Sequence, residues 1–443
     1  MTTVITYGTY DLLHFGHIRL LERAKALGDY LIVGITSDDF DKTRGKLNVQ
    51  QSLAERIEAV RQTGLADKII VEEYEGQKID DIQRYGVDVF TVGSDWKGKF
   101  DYLNEYCRVV YLERTEGISS TKLRSKDRKL RLGLIGTADI LKKYLAQSAL
   151  VSGIEISGIC QKLGDDTGFR QAGFFVSDHE DDIFSRSDAV YIVSPAESHA
   201  KIVRRALEAG CHVLCESPIA LSRAECESLF VLAKERNLIL MDAIKTAYSQ
   251  AYSRMLLLAK MGKIGQIVSV DATCTSLREN TPFWRSPSSM CEWGPAALLP
   301  AFDLLGTDVR STRFVTMFST TAPEVDLFTK IELTYPHAVA SLKVGQGVKA
   351  EGELIVAGTQ GYIYVPAPWW KTEYFEIRYE NLAENRRYFY QLDGEGIHYQ
   401  LIVFQNAVCG FRNASYIHPN CSEAIAATFE QFYRGNNLTK IHV

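Results

Sequence analysis

The stretch ITYGTYDLLHFGHIRLLERA, residues 5–24, decides the architecture of the first part of the chain. Its opening residues are β-branched or aromatic up to Gly8, which predicts a strand that ends in a tight turn. An amphipathic stretch follows and stops at Gly28, which predicts a helix. His14 and His17 lie three residues apart at the start of this helix, so they share one face. Unpaired N–H groups and the helix dipole favour an anion there, so we expect the two imidazoles to hold a phosphoryl group.

A metal site is the alternative for these two histidines. The helix carries no carboxylate four residues further on, and no third ligand lies nearby in the sequence. Two histidines alone do not make up a ligand set that transition metals prefer, so we expect no metal bound by the protein itself.

The flanking segments alternate between strands and helices as far as residue 124. YLIVGITS is a continuous apolar run, typical of a strand in a parallel sheet. SLAERIEAVRQT begins at Ser52 and has Glu55 three residues later, which predicts a capped helix. We therefore expect a doubly wound α/β domain with ligands at the carboxyl ends of its strands.

Length, charge and cysteine usage exclude several classes of protein. A chain of 443 residues predicts two or three domains. The formal net charge of −5 does not suggest nucleic acid or an anionic membrane as a partner. No apolar run reaches the length of a membrane span, and the first residues do not resemble a signal peptide. Nine cysteines without paired spacing predict reduced thiols and a cytoplasmic protein.

A second segment with phosphate-binding chemistry is RTEGISST, residues 114–121. Its glycine allows a tight turn, and its hydroxyls stand at a predicted helix start. Hydroxyls and free N–H groups would hold the outer phosphates of a nucleotide, and Arg114 would add a fixed positive charge.

These motifs resemble the H-x-G-H and I-S-[ST]-T signatures of the nucleotidyltransferase superfamily. Together with DVFTVGSDWKGKFDYL and VVYLERTEGISSTK, they resemble the bacterial glycerol-3-phosphate cytidylyltransferases over residues 3–124. The resemblance implies that CTP and glycerol 3-phosphate, or a related polyol phosphate, give a CDP-polyol and pyrophosphate for cell-surface polymer synthesis. The attacking phosphate oxygen is already ionised, so catalysis requires alignment and charge neutralisation and no general base. Mg²⁺ is expected with the triphosphate.

The resemblance also implies roles for individual residues. The histidines would contact the α-phosphate, the serine and threonine hydroxyls the outer phosphates, and Arg56 the acceptor phosphate. Asp11 is equally well explained by a turn or capping role, and Arg44 by a solvated charge. Arg44 replaces a family lysine and Gly64 an expected basic residue, so the acceptor's identity stays open. The implied catalytic residues are His14, His17, Lys46 and Arg114, and the implied substrate-binding residues are Thr9, Tyr10, Asp11, Arg44, Arg56, Asp95, Trp96, Gly117, Ser119, Ser120 and Thr121.

A charge run without apolar periodicity, KLRSKDRKLR at residues 122–131, separates this part from a second alternating series. After residue 265 the pattern becomes rich in strands that turns connect. We therefore expect a cytidylyltransferase domain at 1–126, a linker at 127–131, a Rossmann domain at 132–250 and an open-sheet α+β domain at 251–443.

RLGLIGTADI, followed by AVYIVSPAESHAKIVRRALEAGCHVLCESPIAL, resembles the glucose–fructose oxidoreductase and inositol dehydrogenase family. These are NAD(P)-dependent enzymes. Ser217 stands where the family has its catalytic lysine, and Phe302 stands where many relatives have tyrosine or histidine. Lys245 is a candidate replacement for the lost proton donor. The resemblance implies cofactor contacts for Gly133, Gly136, Thr137, Lys162, Ser194, Pro195, His199, Glu216, Ser217 and Pro218.

The choice of cofactor depends on the end of the second strand of this series. Gln161 stands where NAD-preferring relatives place an acid, so a strong contact to a ribose 2′-hydroxyl is not expected. Lys162 would meet a 2′-phosphate and favour NADP over NAD, or it is a solvated charge.

Three hypotheses describe the whole chain. In the first, a cytidylyltransferase is fused to a reductase that supplies its polyol phosphate. In the second, the transferase is active, but the second domain has lost catalysis and serves dimerisation or nucleotide sensing. In the third, the chain is a binding protein throughout, which the intact phosphate-binding motifs disfavour. We also expect a homodimer or a higher homo-oligomer.

Overall fold

The protein is described by a computed structural model that covers residues 2–11, 13, 15–37, 40–41, 49, 51–74, 76–113, 129–136, 138–151, 153–161, 167–277, 288–390, 392, 396–409 and 417–441. The chain divides into two compact units, residues 1–128 and 129–443. Within the described ranges, no helix is long and apolar enough to cross a bilayer.

The amino-terminal unit is a three-layer α/β fold. Its described strands form one parallel sheet in the order β3-β2-β1-β4-β5. The elements are β1 (Thr3–Gly8), α1 (Phe15–Lys25), β2 (Tyr30–Thr36), α2 (Leu53–Gln62), β3 (Lys68–Glu72), α3 (Gln77–Tyr85), β4 (Val89–Gly93) and β5 (Arg108–Leu112).

Alternation along the strands gives this sheet two buried faces. Val4 packs with Leu21 of α1 and Val60 of α2, whereas the neighbouring Ile5 packs with Ile82 of α3. Successive side chains of a strand point to opposite faces, so one strand serves two apolar layers. The predicted doubly wound α/β fold is confirmed.

The second unit begins with another parallel sheet, in the order β11-β10-β9-β6-β7-β8. Its first strand starts at Leu130, inside the predicted linker 127–131, because the apolar alternation of LRLGLIG already begins there. The elements are β6 (Leu130–Gly136), α4 (Ala138–Ser148), β7 (Ile154–Cys160), α5 (Thr167–Gln171), β8 (Val176–Ser177), α6 (Glu180–Phe184), β9 (Ala189–Val193), α7 (Ala196–Glu208), β10 (His212–Cys215), α8 (Arg223–Glu235) and β11 (Leu240–Asp242).

A larger mixed sheet follows in the order β19-β18-β17-β16-β12-β15-β14-β13-β20. One helix, α10, packs on strands β12 and β15 of this sheet. The elements are α9 (Gln250–Lys260), β12 (Ile267–Thr275), α10 (Ser289–Leu305), β13 (Ser311–Phe318), β14 (Asp326–Thr334), β15 (Val339–Gly345), β16 (Leu354–Gly358), β17 (Tyr362–Val365), β18 (Tyr374–Arg378), β19 (Arg386–Phe389), α11 (Ile397–Val408), α12 (Pro419–Tyr433) and β20 (Leu438–Ile441).

Helix α12 packs on α8, one of the helices that flank the second parallel sheet. Ala426 of α12 belongs to the same buried cluster as Leu229 of α8. The backbone N–H of Arg223 donates to the Glu430 carboxylate at 3.1 Å. The core around the second parallel sheet therefore includes residues far beyond position 250.

Candidate active sites

The first candidate site lies where β1 and β4 are neighbours. The chain leaves these two strands in opposite directions along the sheet, which creates a crevice at their carboxyl ends. Ligands of doubly wound folds bind at this switch point. The turn after β1 and the short helix Ser94–Trp96 after β4 both stand at this edge.

His17 is held in the first turn of α1 by an aromatic contact. The rings of Tyr10 and His17 meet edge-on, with centroids 5.6 Å apart and planes at 67°. Tyr10 is buried, and its φ of 54° turns the chain sharply after the strand. A Cβ at Gly8 would lie 3.0 Å from the Tyr10 ring, so the glycine makes room for that ring. The predicted substrate residue Tyr10 thus places its side chain in the core, where it positions His17.

Thr9 is fixed by a buried polar cluster. Its hydroxyl donates to Asp41 at 2.9 Å and accepts from the Thr36 hydroxyl at 3.3 Å. The Thr9 side chain is therefore engaged within the protein, and its implied contact with the substrate stays a prediction.

Arg56 is fully buried, which the resemblance did not lead us to expect. Its Nη1 donates to Thr9 O at 2.8 Å, Thr36 O at 2.9 Å and Asp41 Oδ2 at 3.1 Å. Its Nε donates to Gln51 O at 3.1 Å. The guanidinium joins the ends of β1 and β2 to the start of α2. The structure therefore gives Arg56 a positioning role, and a direct contact with the acceptor phosphate remains a prediction.

The remaining described residues of this site stand at its margins. Asp11 is buried and accepts from the Gln51 backbone N–H at 3.0 Å, which agrees with the turn role weighed above. Trp96 packs on Phe100, with centroids 5.9 Å apart, and Lys99 lies over the Trp96 ring. The Asp95 side chain lies outside the described part, as do His14, Arg44, Lys46, Arg114, Gly117, Ser119, Ser120 and Thr121.

The structure also shows a buried cation that the sequence analysis missed. Lys78, in the first turn of α3, pairs with Glu72 at the end of β3, and both are buried. Its Nζ lies 4.7 Å from the centre of the Tyr7 ring. A cation is disfavoured at a helix N-terminus. A lysine in the first turn of a predicted helix was therefore the signal that could have identified it.

The second candidate site lies at the carboxyl edge of β6, β9, β10 and β11. Strand β6 ends at Gly136 and α4 begins at Ala138, so the N-terminus of α4 faces this edge. This arrangement fits a dinucleotide pyrophosphate. Gly133 lies inside β6, where a Cβ would come 2.3 Å from Ile183. This glycine therefore serves packing, and its expected cofactor contact remains a prediction. Thr137 and Lys162 lie outside the described residues.

His199 connects two loops at this edge. The ring is buried, with Nδ1 2.8 Å from Pro218 O and Nε2 2.7 Å from Ser194 O. Burial lowers the pKa of His199, while the two backbone contacts oppose that shift. The histidine thus holds together the loops after β9 and β10, including the predicted residues Ser194, Pro195 and Pro218.

Glu216 accepts hydrogen bonds from two tyrosines, Tyr144 and Tyr191, whose rings are stacked. Its carboxylate accepts from Tyr191 Oη at 2.5 Å and from Tyr144 Oη at 3.4 Å. Burial raises the pKa of Glu216, the Tyr191 hydrogen bond and the Lys245 ammonium oppose the shift, and Glu292 adds to it. Lys245 itself begins the short helix Lys245–Tyr248, which follows β11 in the chain.

Ser217, at the position of the missing lysine, donates to Asp242 Oδ2 at 3.3 Å. Ser422 of α12 donates to the same oxygen at 2.8 Å. Burial raises the pKa of Asp242 to about 7, the two serine hydrogen bonds oppose this, and Glu216 adds to it. Phe302 is buried within α10. The sequence analysis missed Asp242, because its serine partners lie on distant segments.

Comparison with known proteins decides the family of the first unit. Residues 5–126 match the model of the cytidylyltransferase-like family. Over 124 residues the chain is 51% identical to the glycerol-3-phosphate cytidylyltransferase of Bacillus spizizenii, and the match covers 28% of this chain and 95% of that protein. The chain belongs to the cytidylyltransferase-like family.

A second family model extends beyond this cytidylyltransferase-like unit. Residues 130–243 match an oxidoreductase family with an NAD-binding Rossmann fold. The chain is 32% identical over 155 residues to a dTDP-3,4-didehydro-2,6-dideoxy-α-D-glucose 3-reductase of Actinomadura kijaniata, which covers 33% of this chain and 46% of that protein. A solved 3-ketoreductase from that organism, in complex with NADP and TDP-benzene, has a TM-score of 0.63 at 21% identity over 71% of this chain and all of that one. The predicted fusion of the two folds is confirmed.

Proposed function

We propose that the amino-terminal unit joins CTP to glycerol 3-phosphate, or to a related polyol phosphate, and releases pyrophosphate. The observation that carries the proposal is His17, held by Tyr10 at the start of α1 where β1 and β4 form the crevice. The 51% identity to a glycerol-3-phosphate cytidylyltransferase over 95% of its length supports the choice of substrates.

Among the described residues, His17 contacts the substrate, and the others hold the turn in the alignment that the reaction needs. His17 donates to the α-phosphate as negative charge develops there, and the α1 N-terminus adds its dipole. Arg56, Asp41 and Tyr10 hold the turn that carries this site. The acceptor oxygen is already ionised, so proximity and charge neutralisation supply the rate. Mg²⁺ that accompanies the triphosphate would neutralise charge on CTP.

The test is CTP-dependent pyrophosphate release by the full chain with glycerol 3-phosphate. His17→Ala should lower kcat by roughly 10²- to 10³-fold, the loss typical of a charge-stabilising donor. Arg19→Ala is the matched control, because Arg19 lies on the same helix, is exposed and pairs with Glu22. Equal rates for the His17 variant and the control would remove His17 from the site. A panel of polyol phosphates then identifies the preferred acceptor.

We propose that the second unit binds NADP(H) at the carboxyl edge of β6. The α4 N-terminus at that edge supports this, and the cofactor would supply hydride. Ser217 in place of a lysine, turned towards Asp242, favours the hypothesis of binding without turnover. NADPH fluorescence tests binding, and NADPH oxidation with keto-sugar phosphates tests turnover. Unchanged fluorescence at high cofactor would refute binding.

The setting of the protein is also a proposal. The nine cysteines lack paired spacing in the sequence, which supports a reducing, cytoplasmic compartment. A CDP-polyol is an activated donor, which agrees with a role in cell-surface polymer synthesis. A homodimer or higher homo-oligomer is testable by light scattering of the full chain.

A further inference from the structure

Two tryptophans from distant segments meet beside the second candidate site. Trp293, the fifth residue of α10, and Trp370, in the short helix Trp369–Lys371, have ring centroids 4.8 Å apart, with planes at 53°. Both are partly exposed, whereas the neighbouring Trp369 is buried. We call Trp293 and Trp370 the tryptophan pair.

The tryptophan pair is held in place before any ligand arrives. Trp293 Nε1 donates to Ser276 Oγ at 3.3 Å. A Cβ at Gly352 would lie 3.0 Å from the Trp370 ring, so this glycine gives the ring its seat. The Thr246 hydroxyl donates to Trp370 O at 3.3 Å. Rings fixed in advance lose little entropy on binding, which favours a recognition surface.

The tryptophan pair stands near the carboxyl edge of the second parallel sheet, β11-β10-β9-β6-β7-β8. Thr246, which donates to Trp370 O, lies four residues after β11 ends at Asp242. It is next to Lys245, whose charge acts on Glu216 just after β10. Glu292, next to Trp293, acts on the same carboxylate. A ligand on the pair would therefore lie near the carboxyl ends of these strands, where doubly wound folds bind their ligands.

The chemistry of two indole rings selects the ligand. An open-chain polyol phosphate is polar throughout and offers no flat face, so aromatic rings gain little from it. A nucleobase offers a planar face that stacks well on tryptophan. We propose that the tryptophan pair binds the cytosine ring of a CDP-polyol, so that the second unit takes the nucleotide-linked product of the first unit instead of a free polyol phosphate. This inference rests on the function proposed for the first unit.

Calorimetry of the full chain tests this proposal, with CDP-glycerol titrated into protein saturated with NADP⁺. Wild type should show two binding sites per chain. Trp370→Ala should weaken one of them roughly 5- to 100-fold, the range that corresponds to one base–aromatic stack. Trp370→Phe keeps a ring and should retain most of the affinity. Trp293→Ala should repeat the loss, which guards against a folding defect in a single variant.

Each other outcome separates the proposal from its premises. One CDP-glycerol site in wild type, with CTP turnover intact, overturns the inference and leaves the proposed transferase standing. Weaker NADP⁺ binding by Trp370→Ala, with CDP-glycerol affinity unchanged, assigns the pair to the cofactor and also overturns it. Equal competition at the second site by glycerol 3-phosphate shows that no base is recognised. Absence of CTP turnover refutes the proposed function itself.

Discussion

Replacement of Arg56 by methionine should uncouple the turn after β1 from the sheet. The guanidinium is fully buried, and it neutralises Asp41, which is 1% exposed. It also satisfies the carbonyl oxygens of Thr9, Thr36 and Gln51. Methionine fills much of the space but supplies neither charge nor donors. Asp41 therefore loses its cation, although the Thr9 hydroxyl still donates to it, and the three carbonyl groups lose this donor.

The magnitude follows from this geometry. Loss of one member of a buried ion pair costs about 3–5 kcal/mol, because the remaining charge is uncompensated. Arg61→Met is the matched control on the same helix: its side chain is 63% exposed and pairs with an exposed Glu58. A pair of that kind contributes about 0–1 kcal/mol. Asp41→Asn in the Arg56→Met background removes the orphaned charge and should recover about 1–3 kcal/mol.

Hydrogen exchange is the suitable assay, because a chain of two units does not unfold in one step. The opening free energy of amides in β1 and β2 should fall by the amounts above, while amides of the second unit should not change. CTP turnover should fall with it, because the turn that carries Thr9 loses its anchor. Equal protection in the Arg56→Met and Arg61→Met variants would refute the view that this guanidinium organises the site.

Three further predictions concern single positions. The folded-state pKa of Asp242, about 7, lies above its unfolded value of 3.8, so stability should fall by roughly 4 kcal/mol at most as pH rises from 4 to 7; thermal unfolding of Asp242→Asn should lack this slope. Gly133→Ala places a Cβ 2.3 Å from a neighbouring side chain and should cost about 1–3 kcal/mol in denaturant unfolding, whereas Gly168→Ala meets nothing within 4 Å and should be neutral. Tyr10→Ala should lower CTP turnover at least about tenfold by releasing the histidine ring, whereas Tyr10→Phe keeps the edge contact and should not.

Periodic segments and short motifs were predictable from the sequence. The first sheet, its capped helix α2 and the family resemblance all depend on residues close together in the chain. The capping box of α2 forms as predicted, with Ser52 and Glu55 bonded to each other's backbone N–H groups. Local patterns of this kind carry their own physical cause, so one sequence suffices to identify them.

Features that depend on distant partners were not predictable. Arg56 was expected at a ligand because of the family resemblance. Its burial against the ends of β1 and β2 depends on tertiary structure, which the sequence does not show. Gly133 was expected at the cofactor, but its close approach to Ile183 and Ser187 explains the missing side chain. Helix α10 contains Pro295 and Pro300, which argue against a helix locally. Its burial on the mixed sheet outweighs that preference, as tertiary packing often does.

The contact of α12 with the core of the second parallel sheet has a consequence for recombination. Ser422 and Ala426 come from a segment far along the chain. Ser422 donates to the Asp242 carboxylate, and Ala426 completes a core formed by residues before 243. The core around the second parallel sheet is thus built from two separate stretches of the gene, although their residues pack together. A chimaera that exchanges residues 130–243 alone would combine a foreign sheet with a native helix. Grafts should transplant Pro419–Tyr433 together with it.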